Sequence, residues 1–229
     1  MPSLDLGYTL EFLSDLALHN ERSWFAQHKA TYEKARLMFD ELVEELIGRL
    51  SSFEHELAGL TAKDCVMRIH RDVRFSRDKT PYNPWMAALI APGGKKSGRF
   101  GHGLRVAPGD TMAAGGLWQP KPEQLVAFRR AVDADPKAIL TVINAPEFSR
   151  TFGELRGEKL ARFPQGYPKD HVAIELLKLK QVYVARSFPD EAVTADDFVD
   201  RCIDAFRTMK PFLDWLNGNV AGAVLGSLV

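Results

Sequence analysis

Between Arg68 and Tyr82 the chain reads RIHRDVRFSRDKTPY, with four arginines, a lysine, a histidine and two aspartates in fifteen residues. Guanidinium groups at this density are suited to carboxylate or phosphate, because the planar fork donates parallel hydrogen bonds to two oxygens. On an extended chain, alternation places Arg68, His70, Asp72 and Arg74 on one face. Met67, Ile69, Val73 and Phe75 take the other, with Arg71 among them. Like charges at Arg68 and Arg74 repel unless a counter-charge or a ligand stands between them. Asp72 supplies one counter-charge. Nearby cations lower its pKa, which makes it a salt-bridge partner and a poor base at neutral pH. Arg68, Arg74 and Lys79 are therefore the main candidate anion contacts, and His70 a candidate proton-transfer group.

Arg71 admits two readings. Buried on the apolar face, its guanidinium must be paired, either with an acid of the N-terminal helix such as Glu41 or Glu45, or with a bound carboxylate or phosphate. Lys95, Lys96 and Arg99 follow in Pro92-Gly93-Gly94-Lys95-Lys96-Ser97-Gly98-Arg99. These residue types cradle phosphates, but the Walker spacing is missing and the run joins two strands, so an exposed hairpin tip is the competing reading. Asp170-His171 pairs an acid with an imidazole and is a weak candidate for base chemistry; Asp170 serves equally as a helix N-cap. Tyr82 and Trp118 complete the candidate pocket with Asp72. Trp118 is suited to ring stacking or to filling the core.

The whole chain of 229 residues carries 30 Lys+Arg against 30 Asp+Glu, which excludes a wholly basic nucleic-acid binder and a long acidic tail. The balance is not local. Residues 68–105 hold nine bases against two acids, residues 11–64 eleven acids against six bases, and residues 121–229 fifteen of each. Either the basic and acidic blocks neutralise each other, or the basic block holds an anion. The two cysteines, Cys65 and Cys202, lie far apart with no metal-ligand spacing. That predicts a reducing, cytoplasmic setting without a disulfide framework. No HExxH spacing, Rossmann fingerprint or Gly-x-Ser-x-Gly elbow occurs, so neither a metal nor a cofactor is expected. The N-terminus has no signal-peptide pattern, and the apolar run Val220–Val229 is far short of the ~20 residues that span a bilayer.

These residues must be positioned by an α+β framework. Thr9 is placed to cap a first helix bearing Leu10, Leu13 and Leu16, and Asn20 a second whose apolar positions recur from Trp24 to Leu50. Then the period changes to two. Strands are predicted at Val66–Ser76, Trp85–Ala91, Phe100–Ala107 and Met112–Trp118, with short turns that require antiparallel pairing. Helical periodicity returns from Glu123, with a helix capped by Asp170, one further strand at Gln181–Ser187 and a long helix over Ala195–Leu216. The predicted architecture is one α+β domain over residues 1–229. It has a helical front (1–62), an antiparallel meander of four or more strands (63–120, with the strands at ~65–118) and a mostly helical half (121–229).

The run from Arg68 to Tyr82 resembles the signature of the bacterial and fungal domain of unknown function 2461 family. Further matching stretches are Ala91–Arg99, Gly115-Gly116-Leu117-Trp118-Gln119-Pro120, Gly166–His171 leading into Leu176–Lys180, and Asn20–Phe25. The chain departs from the family pattern at Asn83, where Lys is usual, and at Val172, where Pro is common. The resemblance implies no assigned activity, so the functional expectation rests on the residues themselves. The leading one is a small anionic, phosphate-bearing ligand on the basic face. The second is a nucleic-acid-binding module using that face with Lys95, Lys96 and Arg99. The third is a scaffold or interaction protein whose charges are internally paired.

Overall fold

A computed structural model of the protein describes residues 5–221. The apolar tail expected over Val220–Val229 lies outside the described residues beyond Ala221. The front is built from α1 (Leu6–Leu18), α2 (Arg22–Gln27), α3 (Lys29–Ser51) and the short α4 (Ala62–Cys65). Three strands follow, β1 (Met86–Ile90), β2 (His102–Val106) and β3 (Thr111–Leu117). Then come α5 (Pro122–Ala134), α6 (Pro136–Ile143), α7 (Pro146–Phe152), α8 (Ile174–Leu177) and β4 (Val182–Phe188). The chain continues through α9 (Asp190–Val193) and α10 (Phe198–Leu216), extended by a π turn at Asn217–Ala221. The four strands form one antiparallel sheet in the order β1-β2-β3-β4, so the fold is α+β as the periodicity predicts.

The described residues divide into two compact units. The first comprises 5–97, 103–113 and 187–204; the second comprises 98–102, 114–186 and 205–221.

In the first unit the apolar stripes of α1 and α3 bury Phe12, Leu13 and Leu16 with Phe39, Leu42, Leu46 and Leu50. Thr9 does not cap α1. Asp5 does, and Thr9 lies buried one turn in, donating from Oγ1 to the Ala35 carbonyl (3.3 Å). The single helix expected from Asn20 to Leu50 is broken at His28, whose Nδ1–H and backbone N–H both donate to the Trp24 carbonyl (2.8 and 3.0 Å). Asn20 is not a cap either. Its amide brackets the Tyr82 backbone, donating to the carbonyl (2.9 Å) and accepting from the N–H (3.0 Å). It thus supplies the two hydrogen bonds a neighbouring strand would have made.

The strand expected at Val66–Ser76 is the main departure from the predicted sheet. This stretch turns back on residues 81–88 and pairs with them only in fragments. The Met67 N–H donates to Ala87 O (2.8 Å), Arg71 N–H to Pro81 O (2.9 Å) and Asn83 N–H to Ile69 O (2.8 Å). Bridges form only at Val66–Ala88 and His70–Tyr82. The partner chain contains Pro81 and Pro84, which have no N–H to give, so a continuous ladder cannot form. Residues 72–80 consequently leave the pairing as a loop. Alternation was present in the sequence, but its ladder partner was defective.

The second unit packs Phe128, Phe148, Phe152, Phe206, Phe212 and Leu216 into its own core, with Phe148 and Phe212 edge to face at 6.0 Å. Gly116 (φ +121°) explains the Gly115-Gly116 pair. A Cβ there would strike the Val182 carbonyl and lie 2.8 Å from the Tyr183 Cα, so only glycine lets β3 and β4 approach. Asp170 caps no long helix; α8 is a single turn that starts at Ile174 with Ala173 before it.

Candidate functional site

The loop at residues 72–80 is closed at its base by Arg71. Its Nη1 donates to Asp78 Oδ2 (2.6 Å), to the Thr80 carbonyl (3.2 Å) and to Thr80 Oγ1. Asp78 in turn accepts from the Thr80 N–H (3.0 Å) and hydroxyl (2.9 Å). The Thr80 backbone hydrogen bond, reinforced by the Arg71 guanidinium, holds the Asp78 carboxyl down at about 2. Arg71 is thus held in an ion pair. Its partner is Asp78, not Glu41 or Glu45 of α3, and its side chain is half-buried, not enclosed. Across the loop, Lys79 Nζ donates to the Val73 carbonyl (2.9 Å).

Asp72 takes the part expected of it. Arg74 grips it with a fork, Nε to Oδ1 at 3.0 Å and Nη2 to Oδ2 at 2.7 Å, and this pairing lowers the Asp72 pKa. The grip is solvent-exposed; the Arg74 side chain is 76% accessible. Arg68 is exposed and adds to the field on Asp72 from a distance. Among the described residues no helix acid caps Arg68, His70 or Arg74. Five cations and two carboxylates between Arg68 and Lys79 leave a net charge of +3 on the segment with neutral His70. Three of the five acids of α3 pair within their own helix, Glu33 with Lys29, Asp40 with Arg36 and Glu45 with Arg49, and Glu44 accepts from the Ala62 N–H (2.6 Å).

His70 is exposed and lies edge-on to Phe25 (6.0 Å) and Tyr82 (5.2 Å). Tyr82 is buried, stacked on Phe25 at 4.0 Å and 13°. Two residues escaped the sequence reading. Phe75, expected on a buried apolar face, is 96% exposed at the loop, with the Arg74 guanidinium 5.8 Å from its ring centroid. Arg77 is exposed beside it and, among the described residues, has no carboxylate partner. Both would have been found by asking which strand neighbour Pro81 and Pro84 permit.

The Gly93–Gly98 loop is not a free hairpin tip. Gly94 is buried at φ +79°, where a Cβ would meet the Asp64 carbonyl at 3.0 Å. The Lys95 N–H donates to that same carbonyl (3.0 Å) and Lys95 Nζ to Lys63 O (2.6 Å), while Lys96 is exposed. Beside this loop, burial pushes the Cys65 thiol up to about 11, so it is no nucleophile at neutral pH.

Arg99, Trp118, Asp170 and His171 belong to the second unit. Arg99 Nε donates to Asn217 Oδ1 (3.3 Å). Trp118 is 47% exposed and tilted over Tyr183 at 4.3 Å, so it is not a core filler. Asp170 is exposed. His171 is mostly buried: its Nδ1 accepts the Ala173 N–H (3.0 Å), which leaves the proton on Nε2, 3.4 Å from Asp133 Oδ1. With its lone pair already occupied, this imidazole is a latch between α5 and the turn before α8. The second unit also contains a cleft of about 470 Å³ walled by Ile143, Leu155, Leu176 and Leu179, with the Lys159–Glu175 ion pair (2.8 Å) on its lining.

Among the described residues no group of three or more His, Cys, Asp or Glu side chains is placed to hold a metal ion. Nor is any helix of those residues long and apolar enough to cross a membrane. A family model described as conserved hypothetical protein (DUF2461) matches residues 8–215. No curated protein and no solved structure matches the chain.

Proposed function

The chain belongs to the DUF2461 family of conserved hypothetical proteins, and we propose that its segment Arg68–Lys79 binds a phosphate-bearing anion. The observation that carries this reading is the exposure of Arg68 and Arg77 beside Arg74, with no carboxylate on the first two among the described residues. A net charge of +3 is concentrated on twelve residues. Exposed cations gain little from each other's company and lower their free energy when a multivalent anion displaces their counterions.

The alternative of mutual neutralisation loses ground because, among the described residues, no acid of α3 pairs with Arg68, Arg74 or Arg77. The openness of the loop favours a partner that presents a line of phosphates over a small anion needing an enclosing wall. Inorganic polyphosphate is the direct probe. Titration calorimetry at about 50 and about 200 mM salt is expected to give an affinity that falls steeply with salt. Replacing Arg68, Arg74 and Arg77 by Ala should weaken it by about 100-fold at the lower salt. Equal affinity in that variant would reject the assignment.

A further inference from the structure

We infer that Phe75 is a stacking platform for an unpaired base, so that the phosphate-bearing partner of this loop is a single-stranded nucleic acid. The inference rests on the anion-binding reading above and goes one step beyond it. Phe75 leaves 96% of its surface in water, whereas Ile69, an apolar residue of the same alternation, is buried. A phenyl ring so exposed gains nothing for the fold from its apolar area. In sequence it stands between Arg74 and Arg77, with the Arg74 guanidinium 5.8 Å from the ring centroid and Lys79 tied across the loop to Val73. A ring whose near neighbours in the chain are cations matches the repeat of a nucleotide chain, whose bases alternate with phosphates.

A duplex offers no free base face without unstacking, whereas a single strand offers one at each nucleotide. An anionic lipid surface would also satisfy the charges. However, a lone ring anchors weakly there; its neighbours Val73 and Met67 are half-buried and 40% exposed, too little to form an inserting patch. Stacking, by contrast, needs only one ring.

The test compares fluorescently labelled oligothymidylate with an abasic oligodeoxynucleotide of equal length and charge, using the full chain and anisotropy at fixed salt. Oligothymidylate is expected to bind about tenfold more tightly than the abasic strand. Phe75→Ala should bring the two to equal affinity, and Phe75→Trp should restore the preference. The exposure of the ring makes both variants safe for folding, which a thermal melt checks. Equal binding of both strands by the natural chain would overturn the stacking inference and leave the anion reading standing. Failure of both strands and of polyphosphate would overturn both. Tighter binding of a duplex, or binding of phosphatidylserine vesicles without the oligonucleotide, would also overturn the inference.

Discussion

Two basic loops of the first unit, 72–80 and 93–98, are built from similar residues and do opposite things with their charge. In the second, Lys95 spends its ammonium on the Lys63 carbonyl and its N–H on Asp64, and Gly94 is pressed against the same stretch of backbone. In the first, the latch is made by Arg71, Asp78 and Thr80 at the base, and Arg68, Phe75 and Arg77 are left facing water. Lys95 and Lys79 are struts alike, each tied to a backbone carbonyl, and what sets the first loop apart is its exposed arginines. Residue type sets what chemistry is available; the local acceptors decide whether it remains available.

The difference can be broken most forcefully by the triple change Arg68→Ala, Arg74→Ala and Arg77→Ala. It should weaken polyphosphate binding by about 100-fold at about 50 mM salt while leaving the melting temperature nearly unchanged, as exposed substitutions do. Gly94→Ala should show the converse. A side chain at φ +79° against the Asp64 carbonyl costs about 2 kcal/mol, read as a melting temperature lower by about 4–8 °C, with affinity retained. Lys95→Met removes one hydrogen bond to a carbonyl and should destabilise by about 1 kcal/mol, again with affinity within about twofold of the natural chain.

The smallest effect is on pH dependence. Asp78 has a folded pKa of about 2, depressed below its ordinary value. Its contribution is therefore complete above ~3.9 and is lost as the pH falls toward the folded value. The amide signals of Arg71 and Thr80 should shift through that window, and Asp78→Asn should remove the transition. Shifts centred near 4 would mean that the latch does not form in solution.

Much of the frame was legible from pattern alone. Strands β1 to β4 and helices α1, α5 and α10 fall close to where alternation and helical spacing place them. The Asp72–Arg74 pair was legible because its partners are two residues apart. What escaped depends on residues distant in sequence. Asn20 satisfies Tyr82 from 62 positions away, and Lys95 finds Lys63 across 32. His171 meets an aspartate on α5 that no local spacing announces. The strand expected at Val66–Ser76 failed for a nearer reason, the two prolines in its partner. That failure exposed Phe75 and the cations around it, so the candidate site exists because the ladder does not.

The central claim is that the loop at 72–80, with Arg68 beside it, presents its charge to a phosphate-bearing partner while the loop at 93–98 does not. Amide chemical-shift mapping of the labelled full chain during titration with inorganic polyphosphate tests it most directly. Perturbations are expected to concentrate in Arg68–Lys79, with Gly93–Gly98 unmoved. Perturbation centred on Gly93–Gly98 or on the Ile143–Leu179 cleft, or none at all, would contradict it.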